Sequence, residues 1–406
     1  MSTTFPPLDD ALVAGGPRWL SRGFEVLAHE LARHDAQRTR GSYDFDIAIV
    51  GSGYGGALAA AQLAGCTVTE GDRRRPVTLC VLERGAEYPA GKFPSRFAEL
   101  GGHVRFSTAH ATAARGVREG LFDLRIGPDV CALVANGLGG GSLINAGVME
   151  APAPEAFDSA WPRAIDARTL APYYKAARKL LGAHQNRITA QRDGLGRPLA
   201  PPPKFDALKS LDAANARAVD LSVSLNGGAN VWGVTRDACL RCGDCATGCN
   251  HDAKDSLDVG PLVHARRRGA HLYTGATVLR VRPIAGGQPG WEIVATYTHE
   301  KLRKRQGAPL ALRARRVILA AGTFGSTEIL LRSAGEELPL SPKLGQRFST
   351  NGDAIAAVYR TSACVRPAAR ETEPPPARDV GPTITAMIDR RCAGDVPLVI
   401  QELSVP

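Results

Sequence analysis

The chain has 406 residues, of which 44% are hydrophobic and 22% are charged, and its formal net charge is +10. This composition is too apolar for a disordered chain, and the length suffices for two or three domains with sizeable cores. No apolar run approaches the roughly 20 residues that a membrane span needs, and the N-terminus resembles no signal peptide. We therefore expect a globular, cytoplasmic protein rather than a fibrous, transmembrane or secreted one.

The basic residues are scattered, with short clusters at residues 73–75, 266–268 and 301–305. No aromatic residues interleave with them, as a surface that binds single-stranded nucleic acid would require. We read them as solvated loops and helix faces and expect no nucleic-acid partner.

Residues 1–42 read as an N-terminal extension that contains one amphipathic helix over residues 19–34. Its apolar stripe comprises Leu20, Phe24, Leu27 and Leu31. We favour a helix that covers the body of the fold, and the alternative is a peripheral contact with a membrane or a partner.

The next segment predicts a strand at 43–50, a helix at 57–64 and a strand at 77–82, which together open a doubly wound parallel sheet. The polar stretch 67–76 reads as an inserted hairpin. The turn after the first strand carries Gly51, Gly53, Gly55 and Gly56 in the pattern G-x-G-x-G-G, which contains G-x-G-x-x-G. Such glycines allow a tight turn, the approach of a pyrophosphate and close helix packing, and Glu83 at the end of the second strand can bind a ribose. A purely structural glycine turn is the alternative.

Further along, we expect helices at 170–181 and 258–268 and strands at 276–281, 291–297 and 316–320. The string 136–145 contains Gly139, Gly140 and Gly141, followed by Ser142 and Asn145. Three consecutive glycines indicate backbone pressed against a flat or bulky group, although a flexible surface loop is an open alternative. The strand that leads to Gly322 and a helix at 327–333 indicates a second approach of backbone to a cofactor.

Four cysteines form one tight cluster, Cys239-x-x-Cys242-x-x-Cys245-x-x-x-Cys249. This is the spacing of bacterial ferredoxin loops, so it predicts a [4Fe–4S] cluster whose fourth ligand is Cys249 or a remote cysteine such as Cys364. Zinc and a metal-free cysteine turn are the alternatives.

Taken in order, these strings resemble the GMC (glucose–methanol–choline) oxidoreductases, and within them the cholesterol-oxidase-like bacterial branch, over residues 43–390. The resemblance implies FAD, hydride transfer from the CH–OH group of a sterol or other alcohol, and reoxidation by oxygen or a redox protein. By position, Gly51, Gly53 and Gly56 would hold the pyrophosphate and Glu83 the ribose. The segment 139–142 and Asn145 would lie along the flavin, and the backbone of Val278 would meet the adenine.

The implied fold class is α/β, with an FAD-binding, doubly wound (Rossmann-like) domain and an incomplete α+β substrate domain. The first would span 43–335, with an inserted segment at 161–225 and the cysteine cluster 239–249, and the second 336–406.

The family's catalytic histidine and its partner lie in a C-terminal part, whereas the last histidine here is His299. We therefore nominate no catalytic base and expect a chain that lacks that part. Two alternatives to an alcohol oxidase or dehydrogenase stay open: an FAD-binding fragment or subunit completed by a second polypeptide, and an electron-transfer flavoprotein with an iron–sulfur cluster.

Overall fold

The structure, a computed structural model, describes residues 19–35, 41–108, 114–157, 161–162, 164–363, 365–366, 368, 379–392 and 397–404. The helices are α1 Phe24–Asp35, α2 Tyr54–Leu63, α3 Ala167–Leu180, α4 Pro203–Leu211, α5 Pro261–Arg267, α6 Glu300–Gln306 and α7 Gly322–Ser333. The strands are β1 Arg22–Gly23, β2 Phe45–Val50, β3 Thr67–Glu70, β4 Arg73–Pro76, β5 Leu79–Leu82, β6 Val104–Thr108, β7 Arg115–Gly116, β8 Phe122–Ile126, β9 Cys131–Ala135, β10 Ala216–Ala218, β11 Gly228–Ala229, β12 Thr235–Arg236, β13 His271–Thr274, β14 Ala276–Pro283, β15 Trp291–Tyr297, β16 Leu310–Leu319, β17 Ala386–Arg390 and β18 Leu398–Gln401. The N-terminal residues 1–18 and Cys364, on which predictions were made, lie outside the described residues.

The chain forms two compact units, and each is described by itself. The first unit comprises Met1–Pro89, Leu100–Gly141 and Pro261–Asp353, and the second comprises Ala90–Glu99, Ser142–Gly260 and Ala354–Pro406.

The first unit is built on a seven-stranded sheet in the order β1–β13–β5–β2–β16–β15–β14. The strands from β1 to β16 pair in parallel, and β15 and β14 are added antiparallel. β2 and β5 are buried along their whole length, as their largely apolar sequences predict for parallel strands, and β2 also carries the charged Asp46. The predicted α/β fold with a mostly parallel sheet is confirmed.

The predicted strand–helix–strand unit is present as β2, α2 and β5. Helix α2 begins at Tyr54, three residues earlier than expected, so the glycine turn is short and leads directly into the helix. The small residues Gly56, Ala57 and Ala60 of α2 are buried, and α2 packs against α5. The inserted hairpin is also confirmed, since β3 and β4 pair antiparallel with Thr67 opposite Pro76.

The segment before this unit contributes to the same sheet. Phe24, Leu27 and Leu31 of α1 are buried in the core of the first unit, and β1 pairs with β13 at the sheet edge. The described residues 19–35 therefore supply an edge strand and a core helix, and the expectation that the helix covers the body of the fold is confirmed. The helix begins at Phe24 rather than at residue 19, because Arg22 and Gly23 pair as β1, so Leu20 precedes the helix and is not part of its apolar stripe.

Two parts of the first unit were not predicted. β13, with the four-residue sequence HLYT, is too short to show a clear period, yet it lies between β1 and β5. The strands β6, β7, β8 and β9 form a separate four-stranded sheet in the order β7–β6–β8–β9.

The second unit is built around the antiparallel sheet β10–β17–β18, against which α4 packs. Its core contains Phe205, Leu208, Leu221 and Met387. The sequence predicted an α+β second domain over residues 336–406, whereas α4 and β10 of this unit lie within the range 43–335 that was assigned to the FAD-binding domain. The extent and role of that predicted domain stay predictions.

Among the described residues, no helix combines the length and the apolar character that crossing a membrane requires.

Candidate functional site

The turn between β2 and α2 needs two of its glycines for its own backbone. Gly51 has φ +97°, and a Cβ there would lie 2.4 Å from the carbonyl oxygen of Ala320. A Cβ on Gly56 would lie 1.9 Å from the carbonyl oxygen of Gly51. These two glycines therefore let the turn, α2 and the residue after β16 come together, whatever ligand is present.

The backbone of the protein itself does not require glycine at Gly53 and Gly55 of this turn, or at Gly141 of the second glycine string. Gly53 has φ −68°, which any residue can adopt, and the nearest atom to a Cβ there is the Cα of Gly140 at 3.9 Å. A Cβ on Gly141 would meet nothing within 4 Å, and Gly55 is exposed in the first turn of α2. Within the described residues no side chain caps α2 at Gly53. The N-terminus of α2 therefore has open space beside its backbone, which side chains at these glycine positions would occupy. This space suits a phosphate group that accepts hydrogen bonds from the backbone N–H groups.

Glu83 lies at the end of β5, as predicted, and is buried. Its Oε2 accepts hydrogen bonds from the N–H of Ser52 at 3.2 Å and from the Ser52 hydroxyl at 2.6 Å. Its Oε1 accepts one from the N–H of Gly85 at 2.8 Å. A carboxylate offers about four lone-pair sites, so Glu83 retains acceptor capacity, and its binding of a ribose stays a prediction. Ser52, the variable position of the G-x-G motif, was not singled out from the sequence.

The first part of the 136–145 string is anchored by Asn136. Its Nδ2 donates to the carbonyl oxygen of Gly120 at 2.9 Å, and its Oδ1 accepts from Nε of Arg84 at 2.7 Å. Asn136 is 1% exposed, so it holds the start of the glycine run in place rather than facing a ligand.

The second part of the string belongs to the second unit. The Ser142 hydroxyl accepts a hydrogen bond from the N–H of Leu257 at 3.0 Å, and Oδ1 of Asn145 accepts one from the N–H of Gly147 at 3.2 Å. Both predicted cofactor contacts thus have partners in their own unit, and their place along a flavin stays a prediction.

Val278 lies in a strand, and Gly322 lies where a strand leads into a helix, as predicted. Val278 lies in β14 opposite Ala295, where the register shifts, and β14 is an edge strand of the sheet. Gly322 begins α7 with φ +73° and has open space around its Cβ position. The Ser326 hydroxyl accepts a hydrogen bond from the N–H of Ala321 at 3.1 Å, which partly satisfies this helix start.

An arginine cluster surrounds one buried carboxylate in the first unit. Asp123, with a fully buried side chain, pairs with Arg84 at 2.6 Å, Arg105 at 3.4 Å and Arg125 at 3.2 Å. Burial raises the pKa of Asp123, but the three guanidinium groups outweigh burial and lower it. Burial lowers the pKa of Arg105 to about 10. Asp123 and Arg125 share β8, but Arg105 comes from β6 and Arg84 follows β5, so no local sequence pattern signals the whole cluster.

A cleft of about 420 Å³ lies beside this cluster. The guanidinium of Arg125 stacks over the ring of Phe324 at 5.0 Å and pairs with Glu328, and Phe324 contacts Phe348 at 5.1 Å between ring centres. The cleft combines an aromatic wall with a cation, and sequence reasoning did not find it.

The four clustered cysteines line one small cavity in the second unit. This cavity, shared by Cys239, Cys242, Cys245 and Cys249, has a volume of about 10 Å³, the space of about one water molecule. The eight described cysteines form no disulfide.

Backbone N–H groups point at the sulfur atoms of the cluster. Sγ of Cys239 accepts from the N–H of Arg241 at 3.4 Å, and Sγ of Cys242 accepts from the N–H of Asp244. Burial, together with Cys245, raises the pKa of Cys239 to about 12, and burial with the Asp244 carboxylate raises that of Cys242. Without a metal, Cys239 and Cys242 are therefore protonated thiols, and a bound metal ion would displace their protons.

Three side chains of this loop bring metal-ligating atoms together: Cys242, Asp244 and His251. One ligand atom from each lies within 4.8 Å of the other two. Among the described residues, these three side chains form a group that could share one metal ion. Of the four predicted cysteine ligands, the group contains Cys242. Sequence reasoning missed Asp244 and His251, because it read the cysteine spacing alone.

Lys254 is buried beside the same cavity. Its Nζ donates hydrogen bonds to the carbonyl oxygens of Leu143 at 3.1 Å, Asn145 at 2.5 Å and Cys245 at 2.9 Å. Burial lowers the pKa of Lys254 to about 8. Its three donors tie the cysteine loop to the end of the glycine string.

The family is shown by comparison with known proteins. The chain matches the GMC oxidoreductase family over residues 55–351, so it belongs to the GMC oxidoreductases. It is 28% identical over 338 residues to a cholesterol oxidase from Acinetobacter baumannii, which covers 79% of this chain and 56% of that protein. It is 31% identical over 327 residues to a cholesterol oxidase from Mycobacterium tuberculosis, covering 77% of this chain and 52% of the relative.

The chain therefore spans about half the length of these two relatives. Among solved structures, it is similar to a pyridoxine 4-oxidase from Mesorbium loti at 16% identity and a TM-score of 0.39, over 71% of this chain and 52% of that one.

Proposed function

We propose that this chain binds FAD and takes part in the oxidation of an alcohol CH–OH group. The observation that carries this proposal is the bare N-terminus of α2, where Gly53 and Gly140 face each other and Gly141 leaves open space. Glycine at these positions leaves the backbone N–H groups of the helix N-terminus accessible, and a pyrophosphate needs direct access to such groups.

The residues present fit an FAD molecule. The N–H groups at the start of α2 would hold the pyrophosphate, and Gly51 shapes the turn that aims them. The pair of Ser52 and Glu83 would hold the adenine-side ribose through the remaining lone pairs of the carboxylate. When bound, FAD supplies the hydride acceptor for the alcohol carbon.

The substrate part of the proposal rests on family membership and on the names of the relatives. Two of them are cholesterol oxidases, so a sterol is the first alcohol to test. Because the chain spans about half of their length, the alternative that a second polypeptide completes the enzyme stays open, as does the identity of the electron acceptor. The iron–sulfur cluster, and with it an electron-transfer role, stays a prediction from the cysteine spacing.

The cofactor is tested by titrating the purified chain with FAD and following flavin fluorescence. The test variant is Gly53→Ala, because the protein itself has room for the added Cβ. We expect one FAD per wild-type chain, and about tenfold or more weaker binding for Gly53→Ala with an unchanged melting temperature. The control Gly102→Ala, at an exposed glycine with open space, should bind as the wild type does. Equal affinity of Gly53→Ala and the wild type would contradict the proposal.

The reaction is tested by mixing the FAD-loaded chain anaerobically with cholesterol and with a panel of primary and secondary alcohols. Bleaching of the flavin absorbance supports alcohol oxidation by this chain. Tight FAD binding without bleaching by any alcohol contradicts the catalytic part and favours the completed-by-a-partner alternative.

A further inference from the structure

We propose that Cys242, Asp244 and His251 bind a single divalent metal ion of the zinc class in the cavity of the cysteine loop. This site differs from the cysteine-only site that the spacing predicts, since two of its three ligands are not cysteines.

The first support is distance. The Sγ of Cys242, a carboxylate oxygen of Asp244 and a ring nitrogen of His251 lie within 4.8 Å of one another. Ligand atoms around a tetrahedral zinc ion are roughly 3.3–3.8 Å apart, as bond lengths of about 2.0–2.3 Å require. Side-chain movements of about 1 Å would therefore close these three atoms on an ion, without refolding of the loop.

The second support is the backbone that presents the ligands. Gly243, between the two buried ligands, has φ +89°, a conformation that turns the chain sharply. Asp244 begins a short 3-10 turn, and its carbonyl oxygen accepts a hydrogen bond from the Thr247 hydroxyl at 3.2 Å. Cys242 and Asp244 are 7% and 3% exposed. The side chains of Cys242 and Asp244 are thus both buried next to the same turn without a bound ion.

The third support is space and donor type. The cavity that these three residues line holds about one water-sized sphere, which suits one ion, whereas an eight-atom iron–sulfur cube would require the loop to open. Sulfur, nitrogen and oxygen in one small site is a donor set that zinc accepts. Cys239, Cys245 and Cys249 line the same cavity and offer a thiolate for a fourth position.

The fourth support is charge. One thiolate and one carboxylate neutralise a divalent ion, so the ligand set and its ion bury no net charge. If a second thiolate completes the site, the buried ammonium of Lys254 lies beside it, hydrogen-bonded to the carbonyl oxygen of Cys245. On binding, the ion replaces the proton of the Cys242 thiol, which passes to solvent.

The test begins with the whole chain, stripped of metal by a chelator and titrated with Zn²⁺ in competition with a chromogenic chelator. We expect one Zn²⁺ per chain, and affinity lower by about 100-fold or more in Cys242→Ser, Asp244→Asn and His251→Gln. The controls Cys131→Ser and His184→Gln, both at exposed positions, should match the wild type. No Zn²⁺ binding by the wild type, or full binding by the three ligand variants, would overturn the proposal.

A second measurement uses the wild-type protein alone, so it does not depend on whether a variant folds. X-ray absorption of the zinc-loaded wild type reports the ligands directly, and we expect a mixed shell with one or two sulfur atoms and nitrogen or oxygen in the remaining positions. A shell of four sulfur atoms would overturn the proposal. So would iron with an equal amount of acid-labile sulfide after anaerobic reconstitution, because that result identifies the iron–sulfur cluster instead.

Discussion

The hydroxyl of Ser52 donates a hydrogen bond to Oε2 of Glu83 at 2.6 Å and accepts one from the N–H of Gly139 at 3.0 Å. Ser52 is fully buried. One hydroxyl group therefore joins the turn after β2, the end of β5 and the second glycine string. These are the three pieces that the family resemblance assigns to one cofactor, and this contact links all three.

Replacing Ser52 with alanine removes both hydrogen bonds. It leaves the Glu83 carboxylate and the Gly139 N–H short of a partner in a buried place, so we expect a loss of about 2 kcal/mol in the free energy of unfolding. Urea denaturation of Ser52→Ala measures it. Ser210→Ala, which removes an exposed serine hydroxyl in α4, should cost less than about 0.5 kcal/mol. Equal stability of the two variants would show that the Ser52 contact is not a structural link.

The glycines of the turn should separate into two classes. Gly56→Ala places a Cβ 1.9 Å from the carbonyl oxygen of Gly51, so we expect about 1–3 kcal/mol of destabilisation from overpacking, with or without FAD. Thermal unfolding of the FAD-free chain measures it, with Gly102→Ala as the control. Unchanged stability of Gly56→Ala would mean that α2 can shift away from β2 without cost.

Asp46 should make the first unit sensitive to acid. It accepts hydrogen bonds from Arg75 at 2.6 and 2.8 Å and from the Thr78 hydroxyl at 2.9 Å. Burial raises the pKa of Asp46, but these bonds outweigh burial and lower it to about 2. Because the folded pKa lies below the unfolded value of about 4, a contribution of about 2 kcal/mol is complete above pH 4 and is lost as the pH falls through 2.

The measurement is the difference in unfolding free energy between the wild type and Asp46→Asn. We expect a difference of about 2 kcal/mol at pH 5 that shrinks towards pH 2. The control variant is Asp72→Asn, at an exposed position in the turn between β3 and β4. A difference that stays constant from pH 5 to pH 2 would contradict the assignment.

Lys204 should act at the other end of the pH scale. Its buried Nζ donates to the carbonyl oxygens of Pro382 and Thr383 and lies 3.8 Å from Glu402. Burial lowers the pKa of Lys204 to about 8, with Glu402 opposing this shift. Between pH 8 and the ordinary value of about 10.5, the unfolded chain binds more protons, so this group makes the free energy of unfolding rise with pH.

We expect that rise, on the order of 3 kcal/mol, in the wild type relative to Lys204→Met between pH 8 and 10.5. Chemical denaturation across this range measures it. The control variant is Lys209→Met, which removes an exposed lysine from the same helix α4. Parallel curves for Lys204→Met and the wild type would show that Lys204 does not titrate in this way.

The sequence predicted the parts of the fold that have a local signal. β2 and β5 were visible because buried parallel strands are largely apolar, and the turn between β2 and α2 was visible because its glycines are dense. The role of Ser52 was invisible, because its partners come from two distant segments that only tertiary packing brings together. His251 was missed for a different reason, since cysteine spacing drew attention to thiols and gave no weight to a histidine two residues after the last of them.

The sheet order has a consequence for how the chain is made. β2 ends at Val50, but its neighbour β16 begins only at Leu310. A ribosome adds about 5–20 residues per second, so β2 emerges many seconds before the strand that completes its pairing. During that interval one edge of a largely apolar strand is unpaired, which is the condition under which nascent chains aggregate. Production of this protein should therefore depend on chaperones more than its size suggests.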